Sequence, residues 1–184
     1  MMAMRARMRT TARRLLASSA IMLGLWLAAS SAGAQTTVVI LVRHAEQETG
    51  QDPVLSAAGR ARADSLVRAV QNAGITAIYH TALRRTTETA KAVADAIGVS
   101  TTVLTLRPGQ AVPDHAAEVA SDILAKHKGR TVLVVGHSNT VPAIIAALGV
   151  SDAQRIADTE YYHFFTVLLA PDQPARLIRS RYGS

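Results

Sequence analysis

The sequence predicts an α/β fold, a three-layer sandwich in which a mostly parallel sheet carries helices on both faces. Three observations lead there. Two apolar runs, residues 38–42 and 131–135, lack the alternation of a half-exposed strand and read as strands buried on both faces. Strand-like and helix-like patterns alternate along the chain, which favours parallel strands joined by helical crossovers. Each of the two runs also stops abruptly, the first at Arg43-His44 and the second at Gly136-His137. In open α/β sheets the carboxyl ends of the strands form the edge where ligands bind.

Each element has its own signal. The first strand covers 38–42, and a loop with Gly50 and Pro53 follows. Ser56 is a helix N-cap; Ala63, Leu66, Val67 and Val70 then fall on one face, and Gly74 ends that helix. Residues 75–79 make a short second strand. Thr86, Ala90, Val93, Ala94 and Ile97 mark the buried face of a second helix, closed by Gly98. The β-branched stretch 101–106 reads as a third strand, broken by Arg107-Pro108-Gly109. Asp114 is expected to cap a helix through Val119 and Ile123 that stops at Gly129. After the fourth strand, 131–135, Pro142 sits in the first turn of a helix, where a missing N–H costs little. Ile144, Ile145 and Leu148 form its buried face and Gly149 ends it, and 164–169 and 177–178 supply the last strands.

Residues 1–34 differ in kind from the rest. Arg5, Arg7, Arg9, Arg13 and Arg14 make a basic start without an acidic residue, residues 15–29 are apolar apart from Ser18, Ser19 and Gly24, and Ala32-Gly33-Ala34 offers small residues to a signal peptidase. This pattern predicts a secretory signal peptide over 1–34, cut before Gln35, and one domain over 35–184 that is periplasmic or secreted. The apolar core is short of the roughly 20 residues a spanning helix needs, so no stable membrane insertion is expected after cleavage. The leader also carries much of the basic charge. The chain has 20 Lys and Arg against 13 Asp and Glu, and without the five leader arginines 15 face 13. The sequence isoelectric point near 10.5 is therefore no sign of nucleic-acid binding. With no cysteine, disulfides and thiolate chemistry are excluded.

The chemistry concentrates at the two strand ends. If both strands are parallel neighbours in one sheet, His44 and His137 face each other, with Arg43 beside them. Arginine presents a planar fork that binds phosphate oxygens bidentately. A neutral imidazole is a competent nucleophile toward phosphorus, and a nearby guanidinium helps to keep it neutral. His80, His115, His127 and His163 have no such setting and read as structural or exposed.

Arg43-His44-Ala45 after a hydrophobic first strand resembles the Arg-His-Gly signature of the histidine phosphatase superfamily, with Ala in the place of Gly. The segment from Tyr79 to Ala90 resembles that family's Ser-x-Leu-x-Arg-Ala-x-Gln-Thr-Ala block and places its binding arginine on Arg85 rather than Arg84. Val135-Gly136-His137 resembles the second-histidine motif. Three motifs in order, from about residue 37 to the C-terminus, imply a phosphoglycerate mutase-like fold close to the small phosphohistidine phosphatase branch. They further imply catalytic roles for His44 and His137, phosphate binding by Arg43 and Arg85, and neither metal nor cofactor. Relatives supply a proton donor either as a Glu between the second and fourth strands or as an Asp directly after the second histidine. Here Ser138 stands in the latter place, and Asp114 and Glu118 are the nearest candidates for the former; the resemblance to small phosphohistidine phosphatases leaves open a site with no dedicated acid.

The expected function is therefore an exported phosphomonoesterase acting through a phosphohistidine on His44, with a phosphorylated small molecule or phosphoprotein as substrate. Other readings use the same residues. A non-catalytic phosphate-binding module would need the arginines but not the nucleophile. Gly136-His137-Ser138-Asn139-Thr140 has the look of a serine-hydrolase nucleophile elbow, with Asp158 and His163 downstream, but Thr140 replaces the closing Gly. His44-Ala45-Glu46 lacks the cysteines of a zinc deaminase, and two histidines with Glu46 around a metal would set a cation beside Arg43 and Arg85.

Overall fold

The computed structural model describes residues 35–183. The expected leader over 1–34 lies outside the described residues. Six strands form one sheet in the order β3-β2-β4-β1-β5-β6: β1 (Thr37–Arg43), β2 (Ile75–His80), β3 (Thr101–Val103), β4 (Thr131–Gly136), β5 (His163–Leu169) and β6 (Arg176–Arg181). The first four are mutually parallel; β5 runs antiparallel to β1, and β6 antiparallel to β5. The four helices are α1 (Ala57–Val70), α2 (Arg84–Ile97), α3 (Val112–Lys126) and α4 (Thr140–Ala147).

The continuous apolar runs exist because both faces of β1 and β4 are covered. Val39, Leu41, Val132 and Val134 point to one side, where Val119 and Ile123 of α3 and Val141, Ile144 and Ile145 of α4 pack on them. Ile40, Val42, Leu133 and Val135 point to the other, against Leu66 and Val70 of α1 and Ala90 and Val93 of α2. Neighbouring residues on each strand thus feed two separate cores, as the two-residue period of a strand requires. The sandwich expected from the sequence is the observed one.

Local signals held at several element ends. Ser56 caps α1, its Oγ accepting the Gly59 N–H at 3.1 Å, and Gly98 closes α2 in the left-handed conformation at φ 71°. Two expectations are corrected. The third strand ends at Val103 rather than residue 106. Leu104 N still donates to His80 O, but the next partner of β2's continuation is a side chain: Ala82 N donates to Thr105 Oγ1 at 2.7 Å. With the ladder carbonyl replaced by a hydroxyl, the chain is free to turn away from the sheet. Asp114 is also no cap. Helix α3 begins at Val112 after Ala111, with Pro113 in its first two positions, where the fixed φ of proline suits a helix start. Asp114 lies inside the first turn, placed for the helix dipole.

Gly59 is where the first helix meets the loop after β1. A Cβ built there would lie 1.9 Å from the Glu46 carbonyl oxygen, and that carbonyl accepts the Ser56 N–H. Glycine to alanine within a helix ordinarily gains up to about 1 kcal/mol. Here Gly59→Ala is expected to have the opposite sign and to cost roughly 2 kcal/mol or more, because backbone must move to relieve the overlap. Urea unfolding of the variant against wild type measures it.

Candidate active site

The site is built at the carboxyl ends of β1 and β4. Their register sets Arg43 opposite Gly136, and the His44 N–H extends the ladder by donating to Gly136 O at 2.9 Å. The following residues, His44 and His137, are thereby brought together, with ring centroids 5.4 Å apart. Gly136 is required at this point. A Cβ there would come within 2.8 Å of Thr140 Oγ1 and 3.0 Å of Val141 Cγ2, so a larger residue would push α4 off the strand end. Thr140 Oγ1 instead accepts the His137 N–H at 2.9 Å.

His44 is almost fully buried, at 3% exposure. Its Nδ1 lies 2.8 Å from Ala45 O, and a carbonyl can only accept, so Nδ1 carries the proton of the neutral ring. The lone pair is then on Nε2, where Arg85 Nε donates at 3.2 Å. Burial, above all, with the neighbouring His137, Arg43 and Arg85, pushes His44 down to about 3, against the raising effect of the Ala45 carbonyl. His137 is pushed down to about 4, again by burial first and then by Arg85, Arg43 and His115. Both rings are neutral at pH 7. His137 Nε2 is 2.9 Å from Thr81 Oγ1, which also meets Thr86 Oγ1 at 2.8 Å.

Arg85 projects from the first turn of α2 into the site, whereas the Arg84 side chain is 60% exposed and faces Glu88. Helix α2 is docked by Thr89, whose Oγ1 donates to Arg85 O and accepts the Ala45 N–H. Asp52 secures the helix start, taking the Arg84 N–H at 2.9 Å and facing Arg85 Nη1 at 3.9 Å. Arg43 is buried. Its Nη1 donates to the carbonyls of Ala157, Asp158 and Glu160 at 2.9, 2.8 and 3.3 Å, and its guanidinium lies 4.1 Å above the Tyr161 ring. Arg43 Nε is buried and has no hydrogen-bond partner among the described residues.

These side chains open onto a cavity of about 780 Å³, lined by Arg43, His44, Arg85 and His137 together with Ser138, Asp158 and Tyr161. All four residues singled out from the sequence are therefore in one place. Asp114 and Glu118 are not among its lining. Glu118 pairs with Arg107 at the surface, 2.5 Å away, so the two sequence candidates for the proton donor are displaced from the site. Glu46 is drawn away too, bound by Arg62 through Nε and Nη2 at 2.8–2.9 Å. Ser138 Oγ donates to Asp158 Oδ1 at 3.1 Å with no imidazole between them, and the His163 ring pairs with Glu160 instead. A serine-hydrolase relay is not assembled. Among the described residues no group of three or more His, Asp and Glu side chains is placed to hold a metal. Tyr161, which meets His44 edge-on at 5.8 Å, carried no signal in the sequence, because nothing there tied the 157–161 loop to Arg43.

Comparisons with known proteins agree with this geometry. Residues 39–108 match the histidine phosphatase superfamily (branch 1), a stretch that runs from β1 through His44 and Arg85 to the turn after β3. No curated protein matches the chain in sequence. Solved structures share its fold. A mycobacterial structure described as hydrolase 1 superimposes with a TM-score of 0.61 at 16% identity, over 82% of this chain and 99% of that one. The native mycobacterial glucosyl-3-phosphoglycerate phosphatase gives 0.61 at 14% identity, over 82% and 100%. Phosphoserine phosphatase from Entamoeba histolytica, solved with 3-phosphoglyceric acid, gives 0.61 at 14%, over 80% and 97%. The resemblance to the histidine phosphatase superfamily thus holds in sequence over the first half of the domain and in fold over most of it.

The lowered histidines predict how stability varies with pH. Below the ordinary value of 6.5 the unfolded chain takes up protons that the folded site refuses until pH 3 to 4. Unfolding then binds protons, so stability rises with pH across that window and falls as pH drops through it, by at most about 1.4 kcal/mol per pH unit for each histidine. Between pH 7 and pH 5, His44→Gln is expected to lose roughly 2 kcal/mol less than wild type, since one of the two imidazoles is gone. Urea midpoints of both proteins at the two pH values test this, and parallel losses would refute it.

Proposed function

We propose that the chain is an exported phosphomonoesterase in which His44 Nε2 attacks phosphorus and carries the phosphoryl group between two half-reactions. The observation that supports it best is the state of His44: buried, neutral, with Nδ1–H held by Ala45 O and the Nε2 lone pair turned into a cavity between two arginines. In the first half-reaction Nε2 bonds to phosphorus as the bond to the leaving oxygen breaks. In the second, water attacks the phosphohistidine, releasing phosphate and restoring the neutral ring. Arg85 surrenders its contact with Nε2 to a phosphoryl oxygen, and Arg43 Nε supplies a buried donor already oriented by the loop carbonyls. His137 and the N-terminal end of α4 add further donors to the charge that builds up in transfer.

The phosphatases of the same fold act on phosphorylated small molecules according to their descriptions, and a small phosphorylated molecule, or a phosphorylated side chain on a protein, is the substrate class we assign here. Export through a cleaved 1–34 leader would put that substrate outside the cytoplasm. A binding module of the same fold would use the arginines alone; a neutral His44 whose Nε2 lone pair faces the cavity beside Arg85 favours catalysis over it.

Under single-turnover conditions with labelled substrate, wild type is expected to give an acid-labile, base-stable phosphoenzyme. His44→Ala should form none and lose turnover. Arg43→Ala, Arg85→Ala and His137→Ala should each cost on the order of 10² or more in kcat/KM, the scale of losing one preorganised donor. Ser138→Ala should still form the phosphoenzyme, whereas a serine hydrolase would be abolished. A wild type that turns over with no trapped phosphohistidine, together with an active His44→Ala, would refute the reading. Export is checked separately: the intact mass of the protein from its own host is expected to begin at Gln35, in an extracytoplasmic fraction.

A further inference from the structure

The leaving oxygen of a phosphomonoester departs as an alkoxide unless a proton reaches it, and the donors suggested by the sequence do not line the cavity. Among the residues that do, Asp158 carries the one carboxylate. The nearby carboxylates are otherwise engaged. Asp52 is committed to the start of α2, and Glu160 accepts from Ala157 N, Tyr162 Oη and His163 Nε2.

Resting on the phosphatase reading, we propose that Asp158 is the general acid, and that Ser138 and Arg43 hold it in place. Two separate observations support this. First, Ser138 occupies the position directly after the second histidine, and its Oγ donates to Asp158 Oδ1 at 3.1 Å. A carboxylate from a distant loop is thereby fixed next to His137, at a point where the chain itself has only a hydroxyl. Second, the backbone of that loop is pinned to the site, because Arg43 Nη1 donates to the Asp158 carbonyl and to its neighbours at 157 and 160. A substrate that engages Arg43 meets a loop already in register with it.

Depth also agrees. His44 is on the buried floor of the cavity, and Asp158 is exposed. In-line displacement sends the leaving group away from the nucleophile, hence from the floor toward the open side where Asp158 stands. As the P–O bond breaks, the leaving oxygen takes the proton of the Asp158 carboxyl group. The resulting carboxylate then accepts a proton from the water that attacks the phosphohistidine, which returns the acid for the next cycle. Charged groups facing this position are Arg43 and Arg85 across the cavity and Arg155, which borders the adjoining cleft with Asp158. His44 and His137 are neutral and add no charge.

A general acid matters in proportion to how poor the leaving group is. The test compares glycerol phosphate, with an alkoxide leaving group, and 4-nitrophenyl phosphate, whose phenolate leaves unaided. For Asp158→Asn the ratio of kcat/KM for the alkyl ester to that for the aryl ester is expected to fall on the order of 10²-fold against wild type. Asn still accepts from Ser138 and keeps the carbonyls that Arg43 holds, so a merely structural Asp158 predicts an unchanged ratio. Asp158→Glu should recover much of the ratio. A ratio within threefold of wild type would overturn the assignment. So would a steep fall in wild-type kcat/KM across a series of esters of increasing leaving-group pKa, a measurement that needs no variant. Failure of wild type to hydrolyse either ester would instead overturn the phosphatase reading on which this one rests.

Discussion

The parallel pairing of β1 with β4 is the constraint on which the site depends. The two strands are distant in sequence, and each ends in a histidine with no local reason to meet the other. Setting Arg43 opposite Gly136 makes the next residue of each strand a histidine at the same height on the same edge. A slip of one residue would turn the His44 side chain to the other face of the sheet, and would exchange Val39 and Leu41 with Ile40 and Val42 between the two cores. Register is therefore enforced by several buried aliphatic side chains at once, and the geometry of the candidate site inherits its precision from hydrophobic packing. The backbone bond from His44 N to Gly136 O shows that this order persists past the end of the regular strand.

Arg43 extends that order to the far side of the cavity. An arginine with three carbonyls at one nitrogen and an aromatic ring beneath its plane acts partly as a splint for the 157–161 loop. Glu160 completes the splint from within, held by Ala157 N above all and pushed down to about 2. Arg43 Nε is left without a hydrogen-bond partner among the described residues. One residue thus joins two regions separated by 114 to 117 positions in the chain, which makes its replacement more than the removal of a charge.

The layers, the sheet's parallel centre, Arg43, His44 and His137 could be read in the sequence because each rests on a local pattern, a strand end or a helical face, whereas Arg85 came from the family resemblance. What escaped was set by tertiary contacts. Strand β3 stopped early because Thr105 offers its hydroxyl to Ala82, a contact invisible in a β-branched run. Asp114 looked like a cap until Pro113 fixed the helix start ahead of it. Arg84 and Arg85 are equivalent as neighbouring helix residues, so the family resemblance alone singled out Arg85, and the docking of α2 through Thr89 is what turns it into the cavity. Tyr161 was hidden, and Asp158 surfaced only as a serine-hydrolase partner, for the same reason: the loop that bears them is positioned by Arg43, more than a hundred residues earlier.

The depth at which each group sits follows from the protonation state its chemistry needs. In the proposed mechanism the His44 imidazole must be neutral, and withdrawal from water is the largest cause of its low value here; its place on the floor suits that role. Burial costs stability, because a buried neutral histidine resists the proton that the unfolded chain would accept. The surrounding aliphatic core offsets that cost, with Val42, Val135 and Leu133 essentially inaccessible to solvent. The arginines keep their charge at any depth and can line the walls. A proton donor of the kind proposed for Asp158 needs contact with water, and a carboxylate on the floor would favour the imidazolium it sits beside. A loop at the exposed side is therefore a better place for it than either strand end. The serine after His137 fits that division: it reaches toward the carboxylate without bringing a negative charge down to the histidines.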